Sequence, residues 1–223
     1  MATYSKKQQE IMLLPQREMT RLIKEIKLHQ TSTNTALIPE IELLMNTSHP
    51  HIVSLKNSFK DEDQNAYYIV MDNCQGGNLA AKIREMSDSP QESEVLSWIA
   101  EICVALKTIH EKGILHKCLT PENVLLTEIG TVCLGGFGNI HENSTTPVTP
   151  VSTNSQQTIN YLPPEAFTEG TYDAKSDIWS VGCILYELYT REPVFSAETT
   201  LKLIPKIISG RYPSRPENFS SEL

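Results

Sequence analysis

The chain has 223 residues, of which 39% are apolar and 21% charged, with a formal charge of -8; that composition belongs to a water-soluble chain able to bury one large core or two small ones. The acidic balance excludes nucleic acid and anionic membrane as main partners, because both require clustered Lys and Arg. Cys74, Cys103, Cys118, Cys133 and Cys183 stand singly, with no pair at metal-ligand or redox spacing, so no metal site is expected and the compartment reads as reducing, intracellular and most simply cytoplasmic. Neither a signal peptide nor a membrane span is expected.

In chain order, residues 20–28, 52–59 and 66–71 carry the alternating or continuous apolar pattern of strands, and 37–45 has helical spacing. No glycine precedes Gly76. Ser89-Pro90-Gln91-Glu92 reads as a capping box that opens a helix ending at Gly113, with Val95, Ile99, Ile102, Cys103, Leu106 and Ile109 on one stripe. Residues 123–126 and 131–134 are two short apolar runs joined by a turn, which predicts a hairpin. Residues 139–157 are rich in Ser, Thr, Asn and Pro and predict an exposed loop. From Ala174, the apolar residues Ile178, Val181, Ile184, Leu185 and Leu188 predict a helix buried on most sides. A last amphipathic stretch, 201–208, contains Pro205, which should kink or shorten it.

Strand, helix, two strands, long helix, hairpin, loop and buried helix form a suggestive order, and the motifs within it are more specific. Ile23-Lys24 sits in a strand, and Glu40 follows in the next helical segment. His49-Pro50-His51-Ile52-Val53, Met71 ahead of Asp72 and Cys74, His116-Lys117-Cys118-Leu119-Thr120-Pro121-Glu122-Asn123, Gly135-Gly136-Phe137-Gly138, Pro163-Pro164-Glu165 and Asp177-Ile178-Trp179-Ser180-Val181-Gly182 then occur in turn. In this order and spacing they resemble the eukaryotic protein kinases, most closely the NIMA-related Ser/Thr branch. The resemblance implies an α+β, two-lobed protein-kinase-like fold. Residues 1–19 would be an extension, 20–72 part of the small lobe and 73–223 part of the large lobe. The small lobe would lack its glycine-rich loop and the large lobe its last helices.

The resemblance also assigns roles. Lys24, Glu40, Met71, Asp72, Cys74 and Asn123 become the nucleotide-binding candidates, with ATP the ligand, although Pro39 would weaken the helix that presents Glu40. His116 and Phe137, with Leu44 and Leu55, match the stacked apolar column of active kinases. Asp177 matches the residue that holds the catalytic-loop backbone, and Glu165 the acid that pairs with an arginine, whose place would lie past Leu223. The reactive groups depart from the pattern. Cys118 stands where an aspartate accepts the proton of the acceptor hydroxyl, Thr120 where a lysine neutralises the transferring phosphate, and Gly136 where an aspartate binds Mg2+. Loss of general base help costs roughly 10²- to 10⁴-fold, and loss of a metal ligand removes transition-state stabilisation as well.

The expected function is therefore a pseudokinase, a protein-interaction or regulatory module for signalling that retains at most weak ATP binding. Its partner would be a protein, such as an active kinase or a substrate of one. The rival reading is a weakly active or unconventional ATP-dependent Ser/Thr kinase. Cys118 near His116 raises a thiol-nucleophile reading, and Gly135, Gly136 and Gly138 read as hinge glycines. Thr146-Pro147 and Thr149-Pro150 are phosphorylation candidates, with Lys117 where an arginine would receive the phosphate.

Overall fold

The computed structural model describes residues 14–16, 19–27, 41–42, 44–61, 63, 66–88, 90–136 and 156–213. Glu40, Ser89, Phe137, Gly138, Thr146 and Thr149 lie outside them. The chain divides into two compact units, Met1–Ser48 with Val53–Asn73, and His49–Ile52 with Cys74–Leu223. The class is α+β, with one unit built on a sheet and the other mainly helical.

The first unit is a four-stranded antiparallel sheet of order β1-β2-β4-β3, comprising β1 (Leu14–Gln16), β2 (Met19–Lys27), β3 (Leu55–Asp61) and β4 (Ala66–Asp72). β4 pairs along both edges, and Ala66, Ile69, Val70 and Met71 are all buried; because successive side chains point to opposite faces, both faces are covered there, and the sequence reads as a continuous apolar run. β1 falls inside the segment read from sequence as an extension. β3 begins three residues later than its apolar pattern implied, because Ile52 bridges in parallel to Leu134 in the second unit. The register shifts between Leu55 and Asn57, and at this bulge Lys56 meets Asp72, Nζ to Oδ2, at 2.8 Å. Residues 41, 42, 44 and 45 are helical, with Ile41 and Leu44 buried.

The second unit is organised by two long helices. The first of its helices, α1 (Leu79–Glu85), starts at Asn78, whose Oδ1 accepts from the Ala81 N–H at 2.8 Å. The long helix α2 spans Glu92–His110 and buries Val95, Trp98, Ile102, Ala105, Leu106 and Ile109. It does not begin with the predicted capping box. Gln91 is the N-cap, without a side-chain bond, and its carbonyl accepts from Glu94 and Val95. Pro90 thus lies outside the helix, and Glu92 and Glu94 face the positive end of the dipole instead. The hairpin forms from β5 (Val124–Leu126) and β6 (Val132–Leu134). Glu101 of α2 accepts from the Val132 N–H at 2.7 Å, and Trp98 Nε1 donates to Gly130 O at 3.0 Å, fixing the hairpin on the helix.

Short helices α3 (Gln156–Ile159) and α4 (Pro164–Thr168) precede α5 (Ala174–Thr190). Asp173 caps α5, accepting from Lys175 N and Ser176 N, while Ser176 Oγ accepts from Asp173 N, a reciprocal box that the sequence reading had overlooked. α5 packs against α2 and buries Ser176, Asp177, Ser180, Val181, Cys183, Ile184, Leu188 and Tyr189, whereas Ile178 turns out to be half-exposed. The last helix, α6 (Thr200–Ile208), continues through Pro205 and buries Leu203 and Ile207.

Candidate active site

Asp177 is the electrostatic centre of the second unit. It is completely buried on α5, and its carboxylate accepts four hydrogen bonds. His110 Nε2 (2.7 Å) and the His116 N–H (2.9 Å) donate to Oδ2; the Lys117 N–H (3.0 Å) and the Tyr172 hydroxyl (2.7 Å) donate to Oδ1. Burial pushes the Asp177 pKa up, but the bonds from His110, His116 and Tyr172 outweigh it and hold the carboxyl below its ordinary value. Consequently the loop 116–118 has a charged anchor beneath it. Lys117 needs that anchor, because its φ of 59° is left-handed and strained for a residue with a Cβ. Neither His110 nor Tyr172 was singled out from the sequence. Each is an ordinary residue, one at a helix end and the other in the turn before α5, and only the fold brings them to Asp177.

His116 is equally buried. Its ring Nε2–H donates to Gly135 O at 2.8 Å, and burial lowers its pKa, so the imidazole is neutral. Gly135 in turn donates its N–H to Asn123 O at 2.9 Å. Two hydrogen bonds therefore clamp Gly135, which is buried, to the loop 116–123. His116 Nε2–H is committed to Gly135 O, and Cys118 Sγ takes a contact from Asn123 Nδ2 at 3.5 Å.

The loop closes on itself around Asn123. Its N–H donates to Thr120 O (3.0 Å) and its side-chain Nδ2 to Cys118 O (2.6 Å). Thr120 is buried, so the position does not present a side chain to solvent. Gly136 follows at φ 83°, immediately beside Asn123. Among the described residues no group of three or more His, Cys, Asp or Glu could hold a metal ion. Position 136 supplies no donor atom, and the donor set that would hold a nucleotide-bound Mg2+ does not fit this site.

Of the remaining candidates, Lys24 lies in β2 opposite Ile69, Met71 is buried in β4 opposite Leu22 and Leu55, and Asp72 is engaged by Lys56. All belong to the first unit. Cys74 is half-buried at the start of the second unit. Glu165 is engaged by a neighbour on α5: Ser176 Oγ donates to its Oε1 at 2.8 Å. Further along α5, the Tyr161 hydroxyl donates to Glu187, whose pKa is raised by burial and by nearby Glu122 and Glu192. These four residues line a cavity of about 550 Å³ between α1 and the end of α5.

A buried aspartate gripping the backbone of a His-Lys-Cys loop, an asparagine closing that loop and a short hairpin ending in Gly-Gly define the large lobe of a protein kinase fold. The chain belongs to the protein kinase domain family, which it matches over residues 14–222. It is similar to serine/threonine-protein kinase Nek1 of Mus musculus (39% identical, 91% of this chain, 17% of the relative) and Nek3 of Mus musculus (38%, 92% and 39%). It is also similar to Nek11 of Homo sapiens (31%, 92% and 32%). The chain thus spans well under half the length of these relatives. No helix among the described residues is long and apolar enough to cross a membrane.

Proposed function

We propose that this chain is a kinase-fold domain that does not transfer phosphate and acts by binding another protein. The observation that carries this reading is the contrast inside one loop. Asp177 holds the backbone N–H groups of His116 and Lys117 as a catalytic loop requires, yet the side chain delivered by that loop is the thiol of Cys118. A thiol is a weak hydrogen-bond acceptor, unsuited to orienting a hydroxyl and taking its proton. Thr120 and Gly136 remove the phosphate-neutralising cation and the metal ligand from the same neighbourhood.

Three changes at independent requirements of one reaction compound each other, while the frame that presents them is kept. That combination favours a role for shape: docking a partner such as an active Ser/Thr kinase or its substrate. Any ATP binding would be weak and independent of Mg2+. All five cysteines are thiols and not disulfides, in keeping with a cytoplasmic setting.

The test is phosphotransfer from radiolabelled MgATP to the chain itself and to a general protein substrate, with a melting curve in ATP alone and in ATP with Mg2+. No incorporation and no metal-dependent rise in Tm are expected. Incorporation that depends on Mg2+ would overturn the proposal in favour of an unconventional kinase.

A further inference from the structure

Gly136 can be read as a lost ligand, which an aspartate at that position would restore. Its surroundings argue otherwise. A Cβ built on Gly136 falls 2.5 Å from Asn123 Cγ, 2.6 Å from Oδ1 and 2.9 Å from Cβ, distances that real Cβ atoms essentially never show. Rotating the Asn123 amide away would relieve the first two overlaps and break its 2.6 Å bond to Cys118 O. The third overlap would persist, since Cβ moves only with the backbone. That backbone is pinned, with Asn123 N–H on Thr120 O and Asn123 O receiving the Gly135 N–H.

We infer that Asn123 closes the magnesium site by occupying the space that a side chain at position 136 would need, so that positions 118, 123 and 136 form one packing unit. The inference rests on the non-catalytic reading above and gives it a mechanism. Asn123 looks like the single retained member of the phosphoryl-transfer set, but in this chain it is a clasp between the loop 116–123 and the end of β6. Restoring aspartate at position 136, alone or with Cys118→Asp, would press against the clasp without producing a metal site. The left-handed backbone is not the obstacle, because aspartate tolerates that region better than most residues.

The chain contains its own control. Gly130 has φ 84°, matching the 83° of Gly136, but nothing lies within 4 Å of a Cβ added there. Gly130→Ala therefore measures backbone strain alone, and Gly136→Ala measures strain plus overlap. In urea unfolding, Gly136→Ala is expected to lower stability at least about twofold more than Gly130→Ala. Placing it in an Asn123→Gly background should shrink its cost to that of Gly130→Ala.

Equal costs for the two alanines, or a Gly136→Ala cost unchanged by Asn123→Gly, would overturn the inference. If Gly136→Ala does not fold, recovery of a cooperative transition on adding Asn123→Gly supports it, and continued failure to fold counts against it. A second readout is the Tm of Gly136→Asp in ADP with Mg2+ against ADP with EDTA. No difference is expected, and a metal-dependent rise would mean the site is open. Phosphotransfer by the unaltered chain would instead sink the functional reading and leave the unfolding cycle standing, so the two failures are distinguishable.

Discussion

Asp177→Asn tests whether a buried charge organises the loop. The substitution keeps the shape of the side chain but replaces one acceptor oxygen by an NH2 group. Asp177 takes two donors on each oxygen, His110 and the His116 N–H on one, the Lys117 N–H and Tyr172 on the other. Whichever way the amide faces, a backbone N–H meets an amide N–H and both groups go unsatisfied, because Tyr172 and His110 can switch to accepting but a peptide N–H cannot. At roughly 1–3 kcal/mol for each polar group left unsatisfied in a buried setting, the loss is about 2–6 kcal/mol. At roughly 2–4 °C per kcal/mol for a chain of this size, Tm should fall by about 10 °C.

The control is Asp173→Ala, which removes an exposed cap one turn away on the same helix and should cost about 1 kcal/mol. Urea and thermal unfolding at neutral pH measure both. The pH dependence adds a signature. The folded pKa of Asp177 is depressed below 3.8, so its contribution is complete above the unfolded pKa and is lost as pH falls through the folded value. The gap between wild type and Asp177→Asn should therefore narrow below about pH 4. A cost no larger than that of Asp173→Ala would refute the view that the loop is held by this carboxylate.

Further outcomes follow from the same packing. His116 is buried neutral with its pKa below 6.5, so its contribution is full above that value and declines as pH falls towards the folded pKa. The stability slope just below pH 6.5 should flatten in His116→Phe. Ser176 Oγ accepts from Asp173 N and donates to Glu165, so Ser176→Ala should cost about 1–3 kcal/mol by urea unfolding. Trp98→Phe removes the donor to Gly130 O and part of a buried ring, and should cost at least about 1 kcal/mol in the same assay.

What could be read from the sequence followed from period and spacing. β4 and α5 are long enough for their apolar pattern to repeat, and the hairpin of β5 and β6 is bounded by turn residues. α1 was missed because its seven residues are too few to show a helical period, and it is started by an asparagine cap directly after Gly76 and Gly77. The start of α2 was misplaced because Ser89-Pro90-Gln91-Glu92 has the letters of a capping box, while the backbone turns helical only after Gln91. Positions 118, 120 and 136 were singled out because the motifs around them fix the register. The overlap of Asn123 with position 136 was not readable, since it depends on the path of two loops that are distant in sequence. The same holds for Tyr172, His110 and Ser176, whose roles are contacts and not patterns.

Those contacts bear on what the retained motif residues mean. Asp177 satisfies four donors, His116 fastens Gly135, and Glu165 receives Ser176. Asn123 ties Cys118 and Thr120 together. Each of these would be costly to replace in a chain that catalysed nothing, because a buried polar partner would be left exposed to an apolar interior. Their presence is therefore weak evidence for catalysis. The informative positions are those where chemistry alone would demand a particular residue. At 118, 120 and 136 the side chains present are a thiol, a buried hydroxyl and none, and the fold has accommodated each. On the proposed non-catalytic reading, the kinase motifs of the chain divide by physical necessity: what stability requires is kept, and the three positions that only phosphoryl transfer would constrain are the ones that differ.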